Sequence, residues 1–364
     1  MELNYRSIGH YIHLIDNRNT NLAINKLVGL TVEKKFIPSV ANVVGTDLSK
    51  YKVIEEHQFA CSLMQVSRDK KMPVAMYKGK TAIMSPAYPM FEVNNENELM
   101  PEYLHLYLSR SEFDREAVFY AIGGVRGSLD WDDFCNIKII VPPIEEQRRI
   151  VSEYQTVERR IANNEALIKK LEETAQAIYH HTFVEGIDEE NLPEGWRMGT
   201  LSEIVNFKVG GDRPKIFSEQ ETDNCKIPIY SNGVDKEGLY GFTDKPTITE
   251  RSVTISARGN VGTCFLRNHP YTGIVRLVSV IPDKEYFLYY LLFNLSSRRL
   301  EGDGSAQSQI TVPQLKDEDI IIPQVCLLKY FHKELESIYN YIELLKKENV
   351  MLKNLLSILT SKLS

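Results

Sequence analysis

The stretch KIIVPPIEEQRRIVSEY, Lys138 to Tyr154, has a counterpart half a chain later in IIIPQVCLLKYFHKEL, Ile320 to Leu335. Each reads as an apolar strand, a proline and the first turns of a long helix. Proline removes a ladder donor from a strand but is tolerated where a helix begins, so both stretches read as exits from a domain into a helical arm. Registered on Pro142 and Pro323, the copies lie 181 residues apart.

Downstream of the first proline, Ile150, Tyr154, Val157, Ile161, Asn164, Ile168, Leu171, Ala175 and Ile178 alternate at spacings of four and three. Downstream of the second, Phe331, Leu335, Ile338, Ile342, Leu345, Asn349, Leu352, Leu356 and Leu359 repeat the pattern at the same offset. A 3.5-residue apolar repeat is a coiled-coil seam. No Pro or Gly interrupts either run. The first helix is expected over Ile144–His181, about 57 Å at ~1.5 Å per residue, and the turn EGIDEENLPEGW with Gly186 ends it. The second runs to the end of the sequence. Two such helices in one chain pair most simply antiparallel. Asn164 is then expected opposite Leu345, and Asn349 opposite Ile161, as register-setting polar positions; a solvated edge is the competing reading.

The repeat also extends upstream. Arg126, Leu129, Trp131, Phe134 and Ile139 stand beside Gln307, Ile310, Val312, Leu315 and Ile320. NYRSIGHYI from Asn4 resembles GWRMGTLSEIV from Gly195. Between these shared ends the sequences differ almost completely. FACSLMQVS, TAIMSPAYPMFEV, SVTISARGNVGTCFL and IVRLVSVI read as strands, and PEYLHLYLSRSEFDREAV and KEYFLYYLLFNLSSRRLE as helices. The expected fold class is α/β (α+β): globular domains over 1–143 and 186–323, joined by long helices over 144–185 and 324–364 that form an antiparallel coiled coil. Shared ends with diverged middles fit a scaffold that presents two different recognition surfaces.

A chain of 364 residues is too long for one comfortable core, which agrees with two domains. Its net charge of −6 is local: Glu145 to Glu194 holds 12 acidic and 6 basic side chains, the whole excess. The remainder is near neutral, so overall charge neither supports nor excludes nucleic acid. Five cysteines without a C-x-x-C pair read as reduced thiols rather than a zinc site. No apolar run of ~18 residues suggests a membrane span, and the first residues lack a signal-peptide pattern, so a cytoplasmic location is expected.

Catalytic motifs are missing from the sequence. There is no G-x-x-x-x-G-K-[ST] loop, no G-x-G-x-x-G after a strand, no H-E-x-x-H and no polar residue before a Pro-Pro-aromatic triplet. His180–His181 lies at a helix end, where a capping role is commoner than metal ligation. The chain is therefore expected to be non-catalytic, with no metal and no cofactor of its own. What remains is polar and basic loops. The first domain offers Lys34, Lys35, Arg68, Lys70, Lys71, Lys78, Arg126 and Ser128; the second offers Arg213, Lys215, Asn232, Lys236, Arg258, Asn260, Gln307 and Gln309. Arg pairs with guanine and Asn or Gln with adenine on the major-groove edge, while Lys holds phosphate. Each loop alone also fits a solvated turn.

IIVPPIEEQRRIV (Ile139 to Val151) resembles the apolar-Pro-Pro-x-x-Glu-Gln-x-x-Ile signature of specificity subunits of type I restriction–modification systems. RGSLDWDDF, AQSQITVPQL, IPIYSNG and TISARGNVGT are similar to elements of the same family, as are KKFIPSVANVVGTDLSKYKVI and AIMSPAYPMFEV. The second exit departs from the signature, with Gln324 for the second proline and no Glu-Gln pair. The resemblance implies two target-recognition domains, each reading half of a bipartite site in double-stranded DNA, with helices that set the spacer. It further implies two methyltransferase subunits bound by the helices, separate motor–nuclease subunits, and S-adenosylmethionine, ATP and Mg in those partners. Glu146, Gln147, Arg148 and Arg149 are the implied partner contacts. A related system with a fused methyltransferase–nuclease partner, and a coiled-coil scaffold that binds only proteins, are the competing readings.

Overall fold

The computed structural model describes residues 5–43, 45–64, 66–122, 127–298 and 310–363. Arg126, Gln307 and Gln309 therefore lie outside the described residues. The chain divides into two compact units, Met1–Asn164 with Lys347–Ser364, and Glu165–Lys346. The division falls inside both long helices, Ile144–Phe183 and Val325–Ser361, so each unit owns part of each.

In the first unit, strands Ile12–Ile15, Met90–Val93, Phe59–Cys61 and Val74–Met76 form an antiparallel sheet in that order. Phe59 and Phe91 stack across it at 5.0 Å, and Phe134 and Trp131 pack on Phe91. The same core takes in Val151 of the central helix and Leu363, so the helical arm is docked on its own domain. In the second unit, Val205–Val209, Val278–Pro282, Ser252–Ile255 and Cys264–Arg267 form the equivalent antiparallel sheet. A smaller sheet, Leu239–Thr243, Ile227–Tyr230 and Thr272–Gly273, contains a two-residue parallel pairing. Among the described named strands every other pairing is antiparallel. The fold is thus α+β within the expected class.

The repeat holds at atomic detail. Tyr5–Ser7 pairs with Lys138–Ile140, and Arg197–Thr200 pairs with Asp319–Ile322, both antiparallel. After each opening strand a short 3-10 turn buries one aliphatic residue, Ile8 or Leu201. The amide of Ile8 donates to the Ile137 carbonyl and that of Leu201 to the Glu318 carbonyl, the two acceptors again 181 residues apart. Short helices Trp131–Asn136 and Val312–Asp317 precede the exits and bury Phe134 and Leu315. The Tyr103 hydroxyl donates to the Ile140 carbonyl and the Tyr290 hydroxyl to the Ile321 carbonyl. The opening segments, called alike from sequence, therefore do the same structural work.

Each unit also shows its helices running antiparallel. In the first, Arg160 and Asn164 meet Glu348 and Asn349, while Ile150 and Tyr154 border a cleft shared with Leu359 and Leu363. In the second, Tyr179 and Phe183 pack on Phe331, and Glu172 acts on the Tyr339 phenol. The asparagines meet each other rather than an apolar partner apiece: Asn164 Nδ2 donates to Asn349 Oδ1 at 2.9 Å, and both residues are buried. The solvated-edge reading falls with that observation. A buried amide finds its hydrogen bond only in another polar group, so the two seam positions select one another.

Candidate nucleic-acid interface

The second unit gathers its polar loops around one side chain. Asn232 Nδ2 donates to the Val275 carbonyl at 2.6 Å, and its Oδ1 accepts from the Ala257 amide at 2.8 Å. A fourth segment joins through the backbone: the Val275 amide donates to the Gly211 carbonyl and the Arg276 amide to the Gly210 carbonyl. Segments 210–215, 231–238, 256–263 and 274–277 therefore form one cross-linked group. A Cβ at Gly210 would lie 2.7 Å from the backbone of Gly273 and Ile274, so that approach requires glycine. The Ile310 amide also donates to the Ala257 carbonyl. Arg213, Lys215, Lys236, Arg258 and Asn260 are all exposed on these segments. The fold brings their loops together.

Asn232 itself is not a free reader, because both ends of its amide are engaged within the chain. Behind it, Arg267 is fully buried and stacks on Tyr230 at 3.6 Å. Its guanidinium donates to Thr254 Oγ1 and to the Glu237 carbonyl, and burial lowers its pKa. Glu237 in turn bridges to Lys346 at 3.1 Å. Lys236 and Glu237 adopt left-handed backbone, φ 49° and 57°, so this turn is strained and held by its anchors.

The first unit arranges its candidates differently. Lys34 stands in a left-handed turn, φ 58°, with Nζ 2.8 Å from Asp114 and donating to the Leu108 carbonyl at 2.6 Å. Burial pushes its pKa down. It anchors the turn and is not available to phosphate. Lys71 pairs with Glu33 and Arg68 with Asp69, whereas Lys35, Lys70 and Lys78 are exposed; Ser128 is half-buried. Lys34, Lys35 and Lys78 border a cleft of about 620 Å³ with His105 at its wall. His105 Nδ1 is buried with no hydrogen-bond partner among the described residues, and burial beside Lys78 and Lys34 pushes the ring down to about 4.

At the first exit, Gln147 is fully buried. Its Oε1 accepts from the Met100 amide, and its Nε2 donates to the Glu98 and Pro142 carbonyls. Expected as a partner contact, it instead locks the helix start onto its domain, since all its polar atoms are used internally. Glu146, Arg148 and Arg149 remain on the surface. Arg149 binds Glu146 and Glu153, and Arg148 binds Glu145. The Arg149 guanidinium holds the Glu146 carboxyl below its usual range. Among the described residues no cluster of three or more His, Cys, Asp or Glu could hold a metal. No described helix is long and apolar enough to cross a membrane.

Fold and surface together define a duplicated, two-domain helical scaffold bearing separate basic loop clusters. Comparison with known proteins places it further. The family described as "Type I restriction modification DNA specificity domain" matches residues 65–173 and 193–354. The chain belongs to this family. It is 26% identical over 261 residues to a Mycoplasma pneumoniae protein named as a type I specificity subunit, covering 68% of this chain and 66% of that one. A second M. pneumoniae protein so named is 30% identical over 146 residues, covering 40% of this chain and 43% of its own length. The matched stretches thus span about two thirds and under half of these relatives. The solved S subunit of a type I restriction–modification system from M. genitalium matches 100% of this chain and 96% of its own, with a TM-score of 0.59 at 17% identity, a likeness of fold.

Proposed function

We propose that the chain is the DNA-reading specificity subunit of a type I restriction–modification complex. Each recognition domain takes one half of a bipartite target in double-stranded DNA, and the paired helices set the spacer and carry the methyltransferase subunits. Motor–nuclease subunits join for restriction. S-adenosylmethionine, ATP and Mg would act in those partners, with this chain contributing no reacting group. The carrying observation is the duplication itself: ends that share their backbone pairing mount two unlike sets of loops. Exposed Arg, Lys and Asn on rigidly tied loops suit readout of base edges and phosphates. Glu146, Arg148 and Arg149 at the first helix start are offered to a protein partner, on a segment, 145–194, whose balance of 12 acidic to 6 basic side chains repels DNA.

Genome-wide methylation mapping with the cognate methyltransferase subunits tests this. One bipartite motif is expected. Exchange of residues 1–143 for another member's first domain should change one half of it and leave the other half intact. Scattered methylation, or a change in both halves, would sink the reading.

A further inference from the structure

Val275 and Arg276 both adopt left-handed backbone, φ 54° and 61°. For β-branched valine this is an outlier that persists only where the surroundings over-determine it. Here they do. The amides of Ile274, Val275, Arg276 and Leu277 donate to the carbonyls of Tyr230, Gly211, Gly210 and Ile274 at 2.9 to 3.0 Å, and Asn232 holds the Val275 carbonyl. The result is a rigid ridge whose two side chains point to solvent; Val275 is 52% exposed.

Among the described arginines of this unit, Arg197, Arg251, Arg267 and Arg298 are held in ion pairs, and Arg213 stacks on Phe217 at 4.8 Å. Arg276 is exposed, and no described side chain engages it. A guanidinium on a pre-organised backbone, with all five donors open, is suited to bidentate recognition of a guanine edge.

We propose that Arg276 is a specificity-determining residue of the second recognition domain, contacting guanine in its half-site, and that Asn232 is the positioning residue that holds the ridge. This rests on the DNA-reading function above.

The full chain and its methyltransferase partners are expressed in a host lacking other adenine methylation, as wild type, Arg276→Ala and Arg276→Lys, and methylation is mapped genome-wide. A wild type without a bipartite motif would remove the DNA-reading function itself, before any variant is considered. With that motif present, Arg276→Ala should relax one guanine position in the half-site assigned to the second domain. Discrimination there should fall roughly ten-fold or more, with the other half-site and spacer unchanged. Arg276→Lys should relax the same position, because an ammonium cannot make the bidentate pair. Two results overturn the proposal. One is an unchanged motif in both variants. The other is a uniform loss across all sites in Arg276→Ala that Arg276→Lys restores, which marks a phosphate contact only. Should Arg276→Ala give no methylation, Arg276→Lys decides between the same outcomes.

Discussion

Gln147 and Leu328 hold the same place in the two copies, 181 residues apart, and both are fully buried. Gln147 answers three backbone groups of its domain, whereas Leu328 packs in an apolar core. The contrast recurs. Once aligned on Tyr103 and Tyr290, His105 of the first copy matches Leu292 of the second. Asn164 and Asn349, both in the first unit, match Leu345 and Ile168 in the second. At these paired positions the duplication keeps backbone geometry and lets the buried chemistry part, polar in the first unit and apolar in the second. In a chain with two near-equivalent helices, polar seam positions confined to one unit disfavour pairings that leave an asparagine against leucine.

Exchanging the chemistry at the paired sites tests this contrast. Leu328→Gln buries an amide with no partner and removes apolar packing, so a loss of roughly 3–5 kcal/mol is expected in urea unfolding. Gln147→Leu strands the Met100 amide and should lose less, roughly 1–3 kcal/mol. Equal tolerance at both sites would mean the copies are interchangeable there.

A pH-dependent effect, reaching roughly 3 kcal/mol by pH 4, is expected from His105. Its folded pKa of about 4 lies below the ordinary 6.5, so the unfolded chain takes the proton first as pH falls. The stability it preserves is complete above pH 6.5 and is lost as pH drops toward 4. His105→Leu, carrying the residue of the other copy, should gain on wild type through that window. A pH-independent difference would show that the ring is not held neutral.

The smallest change concerns the asparagines. Asn164→Leu alone should cost about 1–2 kcal/mol by leaving Asn349 unpaired. The double change Asn164→Leu, Asn349→Leu should recover stability yet admit more than one helix register, seen as methylation at sites with mixed spacer lengths. A single spacer in the double variant would take the register role away from this pair.

Much of the scaffold was legible in the sequence because it is written twice. Phe134 with Leu315 and Ile139 with Ile320 share one offset, and all four are buried. The central helix, expected to His181, runs to Phe183. The matching tyrosines escaped because 103 and 290 differ by 187, the spacing having changed upstream of the shared exit. Among candidate site residues, Lys35, Lys70, Lys78, Arg213, Lys215, Lys236, Arg258 and Asn260 are exposed. The inward turn of Lys34, Asn232 and Gln147 was not legible because most of their partners are distant in sequence, as Asp114 is from Lys34. Arg276 was hidden in IVRLVSVI, whose β-branched residues suggest an unbroken strand. Hydrogen bonds from the Val275 and Arg276 amides to the Gly211 and Gly210 carbonyls override that propensity, and the strand begins only at Val278.

The two closing ribbons carry a consequence for inheritance. Tyr5 lies opposite Ile140 and Arg197 opposite Ile322, so each domain begins and ends at neighbouring points of one short ladder. Removing or replacing everything between them leaves the distance to be bridged unchanged, so little loop-closure entropy is at stake. Two crossovers, one in the codons of an opening strand and one in those of an exit strand, would deliver a complete foreign domain in frame and in place. A whole domain surface can then change in one step, without point mutation of the helices.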